Sequence, residues 1–225
     1  MIRAIAFDLD DTLLDTSGLL VPKATRHSFQ ILIQHGLKLT LDQCEQNRVG
    51  LIRTVSHKDV FQMLADKYGT AATSAAVPAA IQAFYQPPIP VSLPLIAGAR
   101  ENIDYLKKKY LLYVVTAGAE NTQKGKADAL GITQDFKKIY VTDSLKKQRK
   151  ENAFLDIINS NRLRNDELLC VGNSLSSEIY DALKIGAKAC YFEFGEDRGK
   201  ISAVKEEQPH FHVRHHSELI LSCHL

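Results

Sequence analysis

Apolar positions along the chain follow two patterns. At residues 2–7, 111–115, 139–141, 168–171 and 187–192 they run together in short unbroken stretches, as in strands buried on both faces of a parallel sheet. Between the later strands they recur at helical spacing, predicting helices over 99–109, 121–130, 151–159 and 176–185, then a last strand at 211–213 and a final helix after Ser217. Residues 21–86 read as helices only. Pro22 in a first turn leads to Phe29, Ile31, Leu32 and Ile33, and Gly36 ends that helix. Thr40-Leu41-Asp42-Gln43 has the form of a capping box, and Ser56-His57-Lys58-Asp59 opens a third helix that runs to Gly69. A fourth covers about 73–85, with Pro78 near its start.

The stretch Gln86-Pro87-Pro88-Ile89-Pro90, followed by Pro94, cannot be helical and marks a boundary. One strand, a helical insert, then repeated helix and strand predicts an α/β fold: a doubly wound parallel sheet interrupted by an all-helical domain. The first strand then belongs with the region beyond Pro90, giving a core of residues 1–16 and 90–225 and an insert of 17–89. An insert in that place would act as a lid over the carboxyl edge of the sheet.

Composition narrows the partners. The chain has 225 residues, 45% hydrophobic and 24% charged, with a formal charge of +2, so the balance gives no argument for nucleic acid or an anionic membrane. No apolar run approaches a membrane span, and the first residues show no secretory pattern. Cys44, Cys170, Cys190 and Cys223 form no CxxC pair and read as reduced core thiols, so a cytoplasmic protein is expected, with monomer and homodimer both open. His210, His212, His215, His216 and His224 cluster near Cys223 but fit no tetrahedral zinc spacing, and are expected to be solvated or packed. Arg48, Arg53, His57 and Lys58 are expected on the wet face of a helix.

The chemistry concentrates where the first strand stops. Asp8, Asp10, Asp11 and Asp15 follow Phe7 within eight positions, at the end of a strand that faces the ligand crevice in an open α/β sheet. Carboxylates at i and i+2 repel unless a cation sits among them, which points to a Mg²⁺ site beside a nucleophile or base. Asp11 and Asp15 are expected to shape the turn. Thr116 and Ala117 end the apolar strand 111–115 in a hydroxyl and a small residue.

The string Phe7-Asp8-Leu9-Asp10-Asp11-Thr12-Leu13 closely resembles the first motif of the haloacid dehalogenase superfamily, the aspartate-nucleophile phosphohydrolases. The resemblance implies a Rossmann-like core with a helical cap inserted after that motif. Phosphoryl transfer of that kind needs hydroxyl or amide donors and a lysine at later strand ends; Thr116 matches the second motif in order and distance, so the resemblance makes Thr116 and Ala117, with Lys150, candidates to bind the phosphoryl oxygens. Lys150, four residues before Phe154, or Lys147 as second choice, resembles the third-motif lysine, although the proline common in the family is missing. Leu168 to Ile179 resembles the fourth motif, with Asn173 and Glu178 in place of its two acids. The resemblance implies Asp8 as nucleophile, Asp10 as acid and base, and Mg²⁺ held by Asp8, the Asp10 carbonyl and Asn173, with Glu178 assisting. The substrate would be a small phosphorylated metabolite. A phosphomutase, or a weak or non-catalytic member because of Asn173, are the alternatives.

Overall fold

The structure is a computed structural model that describes residues 1–143, 148–196 and 208–225. Contacts divide the chain into two compact units, one built from residues 1–16, 89–195 and the C-terminal part, the other from 17–88 together with Glu196. In chain order the elements are β1 (Ala4–Phe7), α1 (Thr16–Leu19), α2 (Val21–Gln34), α3 (Leu41–Leu51), α4 (His57–Tyr68), α5 (Ala71–Tyr85) and α6 (Ala99–Leu106), followed by β2 (Leu111–Ala117), α7 (Glu120–Ala129) and β3 (Lys138–Thr142). Then come α8 (Glu151–Ser160), β4 (Leu168–Gly172), α9 (Tyr180–Lys184), β5 (Lys188–Phe192), β6 (Phe211–Val213) and α10 (His216–Ser222).

The first unit holds a six-stranded sheet in the order β3-β2-β1-β4-β5-β6. Every pairing is parallel. β1 lies centrally, with Phe7 opposite Val114 on one side and Val171 on the other. All four of its residues are buried, which is why it reads as an unbroken apolar run. Alternation assigns its faces: Ala4 and Ala6 pack into a core with Val115, Cys170, Phe154, Ile157 and Ala182, while Phe7 meets Phe136 edge-on at 6.3 Å.

Three strands are longer than their apolar runs, because β2 continues through Thr116 and Ala117, β3 through Thr142 and β4 through Gly172. The expected single helix over 176–185 is instead a π-helical turn, Leu175–Ile179, followed by α9. In this turn Glu178 lies against Gly172, where any Cβ would overlap the Glu178 side chain.

In the second unit Phe29, Leu32, Phe61, Leu64, Val77 and Ala80 form a separate core. Capping boxes begin α3 at Thr40, α4 at Ser56 and α5 at Thr70. α5 starts two residues ahead of its expected position because Thr70 supplies that cap, and Pro78 lies inside it. Arg48 and His57 differ from the expected wet face. They are 6% and 3% exposed, the Arg48 guanidinium meets His57 Nε2 at 3.0 Å and the Glu196 carboxylate, and the imidazole stacks on Phe84 at 4.3 Å. A buried guanidinium needs such partners. They also explain why Glu196 groups with the helices although it was expected in the core.

The four cysteines are free and buried. Among the described residues no helix is long and apolar enough to cross a membrane. His216 is buried, with Nε2 at 2.8 Å from the Thr12 carbonyl oxygen and its ring beside Phe192, a packing role. Phe154 ties α8 to the sheet, so Phe154→Ala is expected to cost about 3–5 kcal/mol, read from urea unfolding.

Candidate active site

The candidate residues lie at the carboxyl ends of β1, β2 and β4 and on the segments that leave them. At β1 the Asp8 N–H donates to the Val171 carbonyl at 2.8 Å, so the strand's pairing continues into the site. A tight turn follows, in which the N–H groups of Leu13 and Leu14 donate to the Leu9 carbonyl at 2.9 and 3.0 Å. Asp11 takes a positive φ of 53° within it, and a Cβ on Gly195 would overlap the Asp11 carboxyl. Asp11 thus packs in the turn.

Asp8 is 8% exposed, and its Oδ1 accepts from the Leu9 N–H at 2.8 Å and from Lys150 Nζ at 2.8 Å. The same ammonium donates to Glu178 Oε2 at 2.9 Å. Glu178 Oε1 in turn accepts from the Ser174 N–H at 2.6 Å, so both oxygens of Glu178 are engaged. One buried lysine therefore stands between two buried carboxylates. Burial pushes the Asp8 carboxyl up from 3.8 to about 7, with Lys150 opposing the rise and Glu178 adding to it. Burial also works against the Lys150 ammonium, but Asp8 and Glu178 outweigh it and hold the group above its usual range.

Asp10 lies two residues on in a different setting. Its Oδ1 accepts from Thr16 Oγ1 at 2.5 Å and from Lys126 Nζ at 2.7 Å, and its Oδ2 from Gln123 Nε2 at 2.8 Å. Burial alone would raise this carboxyl, but Lys126, Thr16 and Gln123 together hold it below the ordinary value. Two carboxyls two residues apart are thus shifted in opposite directions.

Thr116 is 1% exposed at the end of β2, and Gln123 Nε2 reaches its Oγ1 at 2.6 Å. The Ala117 carbonyl lies 3.2 Å from that same nitrogen. At the end of β4, Asn173 donates from Nδ2 to the Phe194 carbonyl at 3.2 Å, which orients its amide oxygen the opposite way. Arg149 Nε pairs with the buried Asp181 at 2.6 Å, fixing the segment just ahead of Lys150 to α9.

Of the expected residues, the structure joins Asp8, Lys150 and Glu178 directly, and places Asp10 and Thr116 on the common partner Gln123. Lys147 lies outside the described residues. Among the described residues no group of three His, Cys, Asp or Glu side chains gathers as a metal site. Gln123 and Lys126 were not anticipated from sequence. The available signal was a polar pair at i and i+3 in the first turns of the helix after Thr116, and such pairs are ordinarily solvent-facing.

Comparison with known proteins identifies the family. Residues 5–192 match the family model of the haloacid dehalogenase-like hydrolases, and the chain belongs to that family. A glyceraldehyde 3-phosphate phosphatase from Pyrococcus furiosus is 28% identical over 200 residues, covering 87% of this chain and 82% of that protein. The HAD-hydrolase YfnB from Bacillus subtilis, solved bound to magnesium, superposes with a TM-score of 0.68 at 22% identity, covering 98% of this chain and 97% of that one. A predicted phosphoglycolate phosphatase from Haemophilus somnus gives a TM-score of 0.74 at 17% identity over 98% and 97% of the two chains. These two structures share the fold.

The raised Asp8 carboxyl has a consequence for stability. Its folded pKa of about 7 exceeds the ordinary 3.8, so between those values the folded chain binds a proton that the unfolded chain has lost, and stability falls as pH rises through that window. Asp8→Asn removes the titration. In EDTA, the stability of the variant relative to the unaltered protein, taken from urea midpoints, is expected to increase from about pH 4 to about pH 7. A gap independent of pH would contradict the assignment.

Proposed function

We propose that this hydrolase cleaves small phosphomonoesters through an aspartyl-phosphate on Asp8, with Mg²⁺ as cofactor. The observation that carries the reading is the Asp8 carboxylate at the end of the central strand, held on Oδ1 by Lys150 and the Leu9 N–H beside a second, separately held carboxylate at Asp10. The names of the phosphatase relatives point the same way. Glyceraldehyde 3-phosphate and phosphoglycolate are the first compounds to test.

The donor set fits a hard divalent cation. Carboxylate, backbone carbonyl and amide oxygens are the ligands Mg²⁺ takes, and the Asn173 oxygen is left available by the bond its amide nitrogen makes to Phe194. Asp8, the Asp10 carbonyl and Asn173 would hold it. Glu178, with both oxygens engaged, would act by orienting Lys150 and the Ser174 N–H. When bound, the cation would draw charge from the phosphoryl oxygens and lessen the repulsion among the acids.

In the first step an oxygen of ionised Asp8 bonds to phosphorus as the bond to the ester oxygen breaks, and Asp10 gives that oxygen its proton. Thr116 and Lys150 hold the transferring oxygens. In the second step water attacks the aspartyl-phosphate, Asp10 takes its proton, and Asp8 is regenerated. Residues 17–88 occupy the chain position of the family's cap and are read as the unit that sets selectivity. The buried free thiols fit a cytoplasmic setting.

A second reading, a weak or non-catalytic member, is favoured by Asn173, which ligates without charge. Both readings are separated by phosphate release from a panel of phosphomonoesters with Mg²⁺. The unaltered protein is expected to turn over and Asp8→Asn to lose at least about 10³-fold in kcat; equal rates for the two would refute the mechanism. A phosphomutase would show instead as interconversion of sugar phosphates with little phosphate released. Asn173→Asp is expected to lower the Mg²⁺ concentration for half-maximal rate by about tenfold, since it adds a ligand charge.

A further inference from the structure

Two side chains of α7 contact the acid/base residue and neither belongs to the machinery considered so far. Gln123 and Lys126 stand one helical turn apart, 2% and 6% exposed, which is unusual for a lysine. Lys126 Nζ takes Asp10 Oδ1 at 2.7 Å, while Gln123 Nε2 takes Asp10 Oδ2 at 2.8 Å. Each carboxylate oxygen of Asp10 is therefore held by a different residue of one rigid helix, and Thr16 Oγ1 adds a further contact on Oδ1. Rotation about the last side-chain bond of Asp10 would break at least one of these bonds.

The Gln123 amide is also forced into one orientation. Its nitrogen lies at 2.8 Å from the Asp10 carboxylate, 2.6 Å from Thr116 Oγ1 and 3.2 Å from the Ala117 carbonyl oxygen. A carboxylate and a carbonyl only accept, so the NH₂ group must face them. Its two hydrogens then go to the two nearer acceptors, Asp10 and Thr116. A threonine hydroxyl that accepts there keeps its own single hydrogen for another partner. Gln123 thus sets Asp10 and the donor direction of Thr116 at once.

We propose that Gln123 and Lys126 are positioning residues for the reaction: they clamp the Asp10 carboxyl in the pose that meets the leaving oxygen, and Gln123 turns the Thr116 hydroxyl hydrogen toward the phosphoryl group. The proposal rests on the phosphatase reading above. In the step concerned, the Asp8 oxygen forms its bond to phosphorus while the ester oxygen departs with the bonding pair and takes the Asp10 proton. An alkoxide, strongly basic, needs that proton as it leaves. A p-nitrophenolate does not. Misplacing Asp10 should therefore penalise the first far more than the second, whereas a general loosening of the fold would lower both alike.

The test measures kcat/KM for a series of aryl and alkyl phosphomonoesters, with Mg²⁺ saturating, for the unaltered protein, Lys126→Met, Gln123→Leu and Lys126→Arg. This ratio reports the chemistry up to loss of the leaving alcohol and is blind to the later hydrolysis. Lys126→Met and Gln123→Leu are each expected to lose about 10²-fold on glycerol phosphate and less than about fivefold on p-nitrophenyl phosphate, steepening the dependence on leaving-group basicity. Lys126→Arg keeps a cation at the carboxylate and is expected to recover most of the glycerol phosphate rate. Should one variant fail to fold, the other and the arginine rescue still decide the matter. Parallel losses on all esters, or an unchanged slope, would overturn the positioning role while leaving the phosphatase reading intact. No Asp8-dependent turnover by the unaltered protein would overturn both.

Discussion

The structure of the sheet unit depends on one buried ion triad, Asp8–Lys150–Glu178. A charge removed from water is costly, and each of these three is nine-tenths buried or more. The cost is met only if each partner is in place, and the partners come from three segments far apart in sequence: the end of β1, the residue ahead of α8, and the π-helical turn after β4. With both carboxylates ionised the cluster holds one cation against two anions; burial first, and Glu178 after it, raise the Asp8 carboxyl, with Lys150 opposing. A divalent cation would relieve that excess. The same imbalance would suit the cluster to a metal cation, and only with that cation in place to a phosphoryl group.

Several structural details follow from that constraint. Glu178 reaches Lys150 because the backbone after β4 takes a π turn and because Gly172 leaves room for its side chain. Arg149 and Lys184 secure the surroundings, the first on buried Asp181 and the second on Glu151 at 2.6 Å. Lys150 itself holds the N-cap position of α8, where Phe154 one turn later anchors the helix in the core. Site geometry and core packing are therefore joined through the same few residues.

How much of this was legible in the sequence depended on the range of the interaction. β1 and β4 were visible because strands buried on both faces are written as apolar runs, and the parallel order followed from the alternation with helices. Asp8 and Asp10 stood out because carboxylates rarely crowd a strand end without a purpose. Lys150 could be preferred over Lys147 only by its distance from Phe154. The π turn was not legible, since Leu175 to Ile179 carries no signal that separates it from ordinary helix. Nor were the burial of Arg48 and His57 and their tie to Glu196, which is 148 positions from Arg48. Partners at such separation leave no local pattern.

Asp8 and Asp10, two residues apart in one motif, sit in opposite electrostatic settings. Asp8 has one lysine, shared with a second carboxylate, and its proton affinity rises; Asp10 has a lysine, an amide and a hydroxyl, and its proton affinity falls. In the mechanism proposed, Asp8 must be ionised to attack and Asp10 must carry a proton to donate, the reverse of these tendencies. Bound ligands act in the required direction on both. A cation at Asp8 would stabilise its ionised form, while a negative phosphoryl group beside Asp10 would oppose its ionisation with the Lys126 and Gln123 contacts kept. In that mechanism the substrate would help set the protonation its own cleavage needs. Once the alcohol had left, Asp10 would return to the ionised state that Lys126 and Gln123 favour, the state a base for the attacking water requires.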